Sequence, residues 1–376
     1  MGLAAFPIFA LAALGPSVVA ELGISRTAFG AVSTTMFTTA ILVSLVIGLL
    51  VDRLGPRVIL GVLYIAAGIA VVFFSNATSV PQMLLAGVIV GFAQAAANPA
   101  TNAVIARWVP SSSMGTLVGL KQSGVPLTQF IAGGLLAPVA ALIGWRSAFL
   151  VGLLLILPGM LLTLWVVPRS EREVVSERRA RTMVPQGLRW LFVCTFLLAA
   201  ALQAANVYLP LFAFEAVGTS AVTAGVLVGT VGIVGMVSRV LVGRIAGRYP
   251  RPVHIVALIA AAAVVSVVGL IGSIALGPLL LWASAILFGA SVFGFNVVGM
   301  TVILQSVDRA SAGRASGALA TVMFTGFALG PITFGSIVDL TDSYRAGWSF
   351  VLVACTLAAI VAFVEWARPP AQRSTT

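Results

Sequence analysis

Apolar runs of about twenty residues, each long enough to cross a bilayer, are centred near positions 10, 39, 67, 93, 127, 157, 200, 231, 263, 292, 325 and 356. Only short polar or turn-rich breaks separate them. At ~1.5 Å of rise per residue, a helix of that length covers the ~30 Å of hydrocarbon. No water is present there to take up an unpaired N–H or C=O, so each run must close its own hydrogen bonds as a helix. The expected class is an all-α integral membrane protein of twelve transmembrane helices. Composition agrees, with 60% of residues hydrophobic and 8% charged, against about 25% charged in a soluble domain.

An even number of spans leaves both termini on one side. Most arginines, among them Arg53, Arg57, Arg107, Arg244, Arg248 and Arg251, fall on that side, and only Arg26, Arg146 and Arg345 fall opposite. Basic loops stay in the cytosol, so the expectation is a multi-pass protein of the plasma membrane with both termini cytosolic. The net charge of +11 comes from these scattered loops rather than from one basic face, which argues against a nucleic-acid partner. Cys194 and Cys355 lie inside apolar runs, where a thiol behaves as a small core residue. Neither a disulfide framework, a metal site nor a cofactor is expected, and the chain is read as a monomer. The stretch from Met1 to Ala20 has no basic region before its apolar core, so it is read as the first membrane helix rather than a signal peptide.

The longest polar break, 168–187, carries charges of both signs and is read as a cytosolic linker between an N-terminal half, 1–167, and a C-terminal half, 188–376. The halves repeat each other. GLLVDRLGPRV, from Gly48 to Val58, is answered by GRIAGRYPRPV, from Gly243 to Val253, with Gly247 standing where the first copy has Asp52. Gly91-Phe92 is matched by Gly294-Phe295, and Gly144-Trp145 by Gly347-Trp348. Gly115 and Gly124 have the same spacing as Gly317 and Gly326. The first of these stretches resembles the G-x-x-x-D-R-x-G-R/K signature of the major facilitator superfamily, and the resemblance extends over the whole chain.

That resemblance implies two pseudo-symmetric six-helix halves working by alternating access, with the substrate near the midplane. It also implies that spans one, four, seven and ten line the central cavity. Gly48, Asp52, Arg53, Arg57, Arg239, Gly243, Arg248 and Arg314 are then expected to belong to the gate. Glycines in the Gly48–Val58 loop suggest helix ends packed backbone to backbone, and Asp52 suits the N-terminus of the eleventh span, where a carboxylate meets the positive end of the helix dipole. The GxxxG pair Gly87 and Gly91 is read as a close helix crossing.

Polar groups within the spans carry the functional reading. All ten acids fall in loops or near helix ends, and the single histidine, His254, sits at the start of the ninth span. No carboxylate or histidine proton relay is therefore expected within the membrane. The deep charge is a cation. Lys121, the only lysine, lies about seven residues inside the fifth span, and Gln122, Thr128 and Gln129 recur with it at helical spacing. Gln94, Asn98 and Asn102, each four apart, form one stripe on the fourth span. Gln203 and Asn206 on the seventh span and Asn296 on the tenth complete the expected substrate contacts. A lysine among amides suits a small organic anion or polar metabolite. Two other functions fit the same fold, an exporter of amphipathic drugs or metabolites and a non-transporting sensor or scaffold. An enzyme is disfavoured, since neither a His-Asp cluster nor a nucleophile-base pair lies in the spans, and a P-loop for ATP is absent from the sequence. The runs KQSGVPL and GWRSAF also resemble cyanate-permease-like carriers.

Overall fold

The structure, a computed structural model, describes residues 1–108, 111–168, 186–246, 251–306 and 309–368, without the side chains at 111–116, 118–119, 186, 304 and 309–314. Among the described residues every regular element is helical. The first span is a bent pair, α1 (Gly2–Ala13) and α2 (Gly15–Leu22), meeting at 61°. Spans two to four are α3 (Arg26–Leu54), α4 (Pro56–Ser75) and α5 (Val80–Trp108). The fifth is α6 (Ser111–Ile131), a π-helical turn at Ala132–Leu136, and α7 (Ala137–Ile143); the sixth is α8 (Trp145–Val151) and α9 (Leu153–Val166). Then come α10 (Arg189–Glu215), α11 (Ala221–Ala246) and α12 (Pro252–Leu276). The tenth span is broken into α13 (Pro278–Val292) and α14 (Phe295–Ser306), and α15 (Arg309–Thr341) and α16 (Tyr344–Ala367) close the set. Eleven segments are long and apolar enough to cross a membrane, twelve if the bent first pair is one span. The expected spans are all present.

Glycine and proline set the boundaries. Gly55 and Gly277 turn out of their helices at φ of +81° and +84°, and the following Pro56 and Pro278 begin the next ones. A side chain resists that left-handed backbone, and proline has no N–H to lose at a first turn. The bend in the first span falls at Leu14, just before Gly15-Pro16.

The chain divides into two compact units. The first contains Met1–Glu177 and Asn206–Ile233, the second Arg178–Ala205 and Val234–Thr376, so α10 and α11 each contribute to both. Lipid tails are as apolar as leucine, so helices here must be held by close packing rather than by burial of oil from water. In the first unit Gly87 and Gly91 of α5 lie against the carbonyls of Val32 and Met36 on α3, where a Cβ at either glycine would overlap the backbone. Gly133 of the π-helical turn meets Gly225 and Gly229 of α11 in the same way. In the second unit Gly326 and Gly330 of α15 pack on the Phe196 and Ala200 carbonyls of α10, and the buried Trp348 stands edge-on to Phe334 at 5.4 Å. Leucines such as Leu42, Leu45, Leu154 and Leu279 remain exposed, as lipid-facing positions are.

Among the described residues, Gly48 would meet no atom within 4 Å if it carried a Cβ. In that loop the glycine with a structural task is Gly55, required by its positive φ.

Candidate functional site

Lys121 sits ten residues along α6 from Ser111, ~15 Å by helix rise. Its side chain is half-buried and its Nζ donates to Asn98 Oδ1 at 3.2 Å and to Asn102 Oδ1 at 2.5 Å. The two asparagines can serve one ammonium because they are four residues apart on α5 and so share a face. Pro99 follows Asn98 inside the helix and removes one backbone donor. Just beyond it, Thr101 Oγ1 donates back to the carbonyls of Ala97, at 2.5 Å, and Asn98, at 3.2 Å. No carboxylate contacts Lys121 among the described residues.

Each asparagine turns its carbonyl oxygen to the lysine, which leaves its NH2 group pointing elsewhere. One ammonium and two amide oxygens thus meet, and the two NH2 groups remain as donors on the same helix face. A cation in a poorly solvated place, with neutral partners only, has its charge uncompensated, and a bound anion supplies the missing charge with charge-assisted hydrogen bonds.

A second polar node lies in the same unit. Gln129 Nε2, on α6, donates to Asn206 Oδ1 on α10 at 3.3 Å and to the Val228 carbonyl on α11 at 3.4 Å. Gln129 is 1% exposed and Asn206 7%. Helix periodicity put Gln129 on the polar face of the fifth span, but its pairing with Asn206 crosses helices and leaves no mark in the spacing. Thr128 returns its hydroxyl to the Gly124 carbonyl at 2.7 Å and serves its own helix. Gln94 is buried one turn before Asn98, and Gln122 is half-buried beside Lys121. Gln203, also buried, and the half-buried Asn296 belong to the second unit.

The second deep cation, Arg239, has different neighbours. Its Nε donates to the Phe293 carbonyl at 3.2 Å, and its guanidinium lies 5.6 Å from the Phe293 ring. Phe293 is the residue at which α13 ends. Ser238, one position earlier, donates to the Ala290 carbonyl. Gly235 faces the Phe293 ring and Gly294 faces Val242, leaving no space for a Cβ at either. Gly243 is less crowded, with its nearest contact 3.2 Å away at Val297.

Among the other expected gate residues, Asp52 and Arg53 are exposed at the end of α3, and Arg57 donates to the Val167 carbonyl at 3.1 Å, capping α9. The partner expected for Asp52, at the start of α15, has side chains outside the described residues, as has Arg314. Arg248 and Gly247 lie outside them altogether, as does nearly all of the linker.

Three of the acids expected to be peripheral, Glu21, Glu215 and Glu365, lie near helix ends in the described residues, and each is paired with an arginine. Arg146 donates to Glu21 at 3.0 Å and to the carbonyls of Ser75 and Ala77, while Trp145 Nε1 reaches the other Glu21 oxygen at 2.5 Å. Arg26 pairs with Glu215 at 2.8 Å, and Tyr208 donates to the Arg26 carbonyl. Glu365 is buried and pairs with Arg368 at 3.0 Å.

These helices and repeats have a known counterpart. The family model for the Major Facilitator Superfamily matches residues 1–331. The chain belongs to that superfamily. It is accordingly a multi-pass membrane protein, and the twelve-helix class read from its apolar runs is the superfamily's own. Curated relatives include a gallate transporter of Pseudomonas putida, 24% identical over 49% of this chain and 41% of its own length, and a 4-hydroxybenzoate transporter of Pseudomonas aeruginosa, 27% identical over 48% and 40%. A probable galactarate/D-glucarate transporter of Bacillus subtilis is 28% identical over 38% and 32%. The chain thus spans well under half the length of these relatives in each match. Among solved structures, a bacterial homolog of the human lysosomal transporter Spinster superposes with a TM-score of 0.78 at 16% identity, covering 97% of this chain and 94% of the other. The nucleoside transporter NupG follows at 0.73 and 17%, with 97% and 96% covered. At such identities the likeness is one of fold.

Proposed function

We propose that this superfamily member is a secondary active or facilitative carrier of a small organic anion, working by rocker-switch alternating access, with Lys121, Asn98 and Asn102 as its anion contact. The observation that carries the reading is the half-buried ammonium held by two neutral amides, with no carboxylate beside it among the described residues. Gln94, Gln122, Gln203, Asn206 and Asn296 are the further amides offered to the substrate. The names of the relatives, which include carriers of gallate, 4-hydroxybenzoate and a sugar diacid, support an acid as cargo. In this reading the six-helix halves, 1–167 and 188–376, move about the linker. Gly48, Asp52, Arg53, Arg57, Arg239, Gly243, Arg248 and Arg314 belong to the gate. The protein acts as a monomer in the plasma membrane with its termini in the cytosol.

The test is uptake of a panel of labelled carboxylates into proteoliposomes. At least one acid should accumulate in vesicles holding the wild type, Lys121→Gln should abolish the signal, and Lys121→Arg should keep a weak one with altered selectivity, since a guanidinium is larger and forked. Unchanged uptake by Lys121→Gln would refute the assignment.

A further inference from the structure

The stripe that holds Lys121 has one more member, and it is unsatisfied. Gln94 lies four residues before Asn98, on the face of α5 that carries Asn98 and Asn102. It is 9% exposed, and its Oε1 has no hydrogen-bond partner among the described residues. A buried amide oxygen without a donor is costly, and native chains rarely leave one without a reason. The ammonium of Lys121 is fixed at the level of Asn98 by their hydrogen bond. Gln94 is one turn further along the helix, ~6 Å away by helix rise. A cation and an orphan acceptor therefore stand on one face, about as far apart as the two ends of a para-substituted ring.

We propose that Gln94 is the specificity-determining acceptor of this carrier, and that the substrate class is a hydroxylated carboxylate. The carboxylate sits at Lys121 with the amide donors of Asn98 and Asn102, and a hydroxyl at the far end of the molecule donates to Gln94 Oε1. The inference rests on the anion reading of Lys121 and adds the second anchor. An acid with no donor at its far end would bury Gln94 still unpaired. A site of that kind rejects the deficient analogue more strongly than an apolar pocket rejects a missing methylene. A hydroxyl next to the carboxylate stays at the level of Lys121 and does not reach the acceptor.

The experiment is calorimetric titration of the purified full chain with benzoate, 2-hydroxybenzoate, 4-hydroxybenzoate and 4-methoxybenzoate. In the wild type, 4-hydroxybenzoate should bind about tenfold or more tightly than the other three. Gln94→Leu should lose the preference for 4-hydroxybenzoate, because leucine offers the hydroxyl no acceptor. A thermal unfolding midpoint near the wild-type value reports that the variant is folded. The assignment is overturned if wild type binds benzoate or 4-methoxybenzoate as tightly as the para-hydroxyl acid, or if Gln94→Leu keeps the preference. Should Gln94→Leu fail to fold, the wild-type ranking alone decides. Benzoate binding that depends on Lys121 but is indifferent to the hydroxyl overturns Gln94 and leaves the anion site standing. Binding of none of the acids, or benzoate binding unchanged in Lys121→Ala, brings down the anion reading and this inference together.

Discussion

Two cations lie deep in apolar helices of this chain, and their partners differ in kind. Lys121, in the first unit, is held by side-chain amides on an intact helix. Arg239, in the second, is held by a backbone carbonyl where a helix is interrupted. Gly91 of the fourth span and Gly294 of the tenth are repeat counterparts, yet their surroundings differ. At the first place Gly91 lets α5 rest directly on the Met36 carbonyl of α3. At the second the tenth span breaks, and Arg239 and Ser238 supply donors to carbonyls near the break. A backbone acceptor freed inside a membrane must be satisfied by the protein itself, so Arg239 reads as a structural brace. The amides around Lys121 have no such obligation, since asparagine is not needed to complete any helix. Both cations lie within an apolar span; what each completes differs.

The largest test of that difference is a pair of substitutions to methionine, an unbranched side chain that keeps the apolar stem and removes the charge. Arg239→Met should lower stability by about 2 kcal/mol, the cost of losing a charged hydrogen bond to a buried carbonyl. Lys121→Met should change it by less than about 0.5 kcal/mol, because relief of a costly buried charge offsets the lost amide contacts. Thermal unfolding in one detergent measures both, and the opposite ranking would break the comparison. The helix crossing that stands in place of the brace offers the next effect. Gly91→Ala should cost about 1–2 kcal/mol by overpacking against the Met36 carbonyl, whereas Gly48→Ala, in open space, should stabilise its helix by up to ~1 kcal/mol. Equal effects at the two glycines would show that the crossing is not tight. The smallest effect belongs to the ion pairs at the loops. Arg26 and Glu215 are partly exposed, so Glu215→Gln should cost below about 1 kcal/mol, a loss that shrinks in high salt. Acid binding that depends on Lys121 should be unaffected by it. A collapse of acid binding in Glu215→Gln would return a carboxylate to the mechanism.

The sequence carried the spans because length and apolarity are properties of single helices. It carried the Gly87 and Gly91 crossing for the same reason, since small residues four apart mark one face. The stripe of Asn98 and Asn102 was legible, as was the depth of Lys121, and the structure joins the two because α5 and α6 are neighbours. Pairings that cross helices left no trace: Gln129 with Asn206, Arg57 with the Val167 carbonyl, and Arg239 with Phe293 each require knowing which helices touch. The Gly48–Val58 loop left open which glycine serves which of two uses, close approach and positive φ, and Gly55 fills the second. The break at Phe293-Gly294 was hidden by an apolar run that reads as one continuous span.

The claim that Lys121 is an anion site is tested most directly by comparing a charged ligand with its neutral isostere. Benzoate and benzamide have nearly the same shape, and calorimetry on wild type and Lys121→Ala isolates the charge. Wild type should bind benzoate about tenfold or more tightly than benzamide, a difference of about 1.4 kcal/mol, and Lys121→Ala should bind the two alike. A Lys121→Ala protein that still prefers benzoate by the wild-type margin would contradict the assignment and leave the lysine a structural residue.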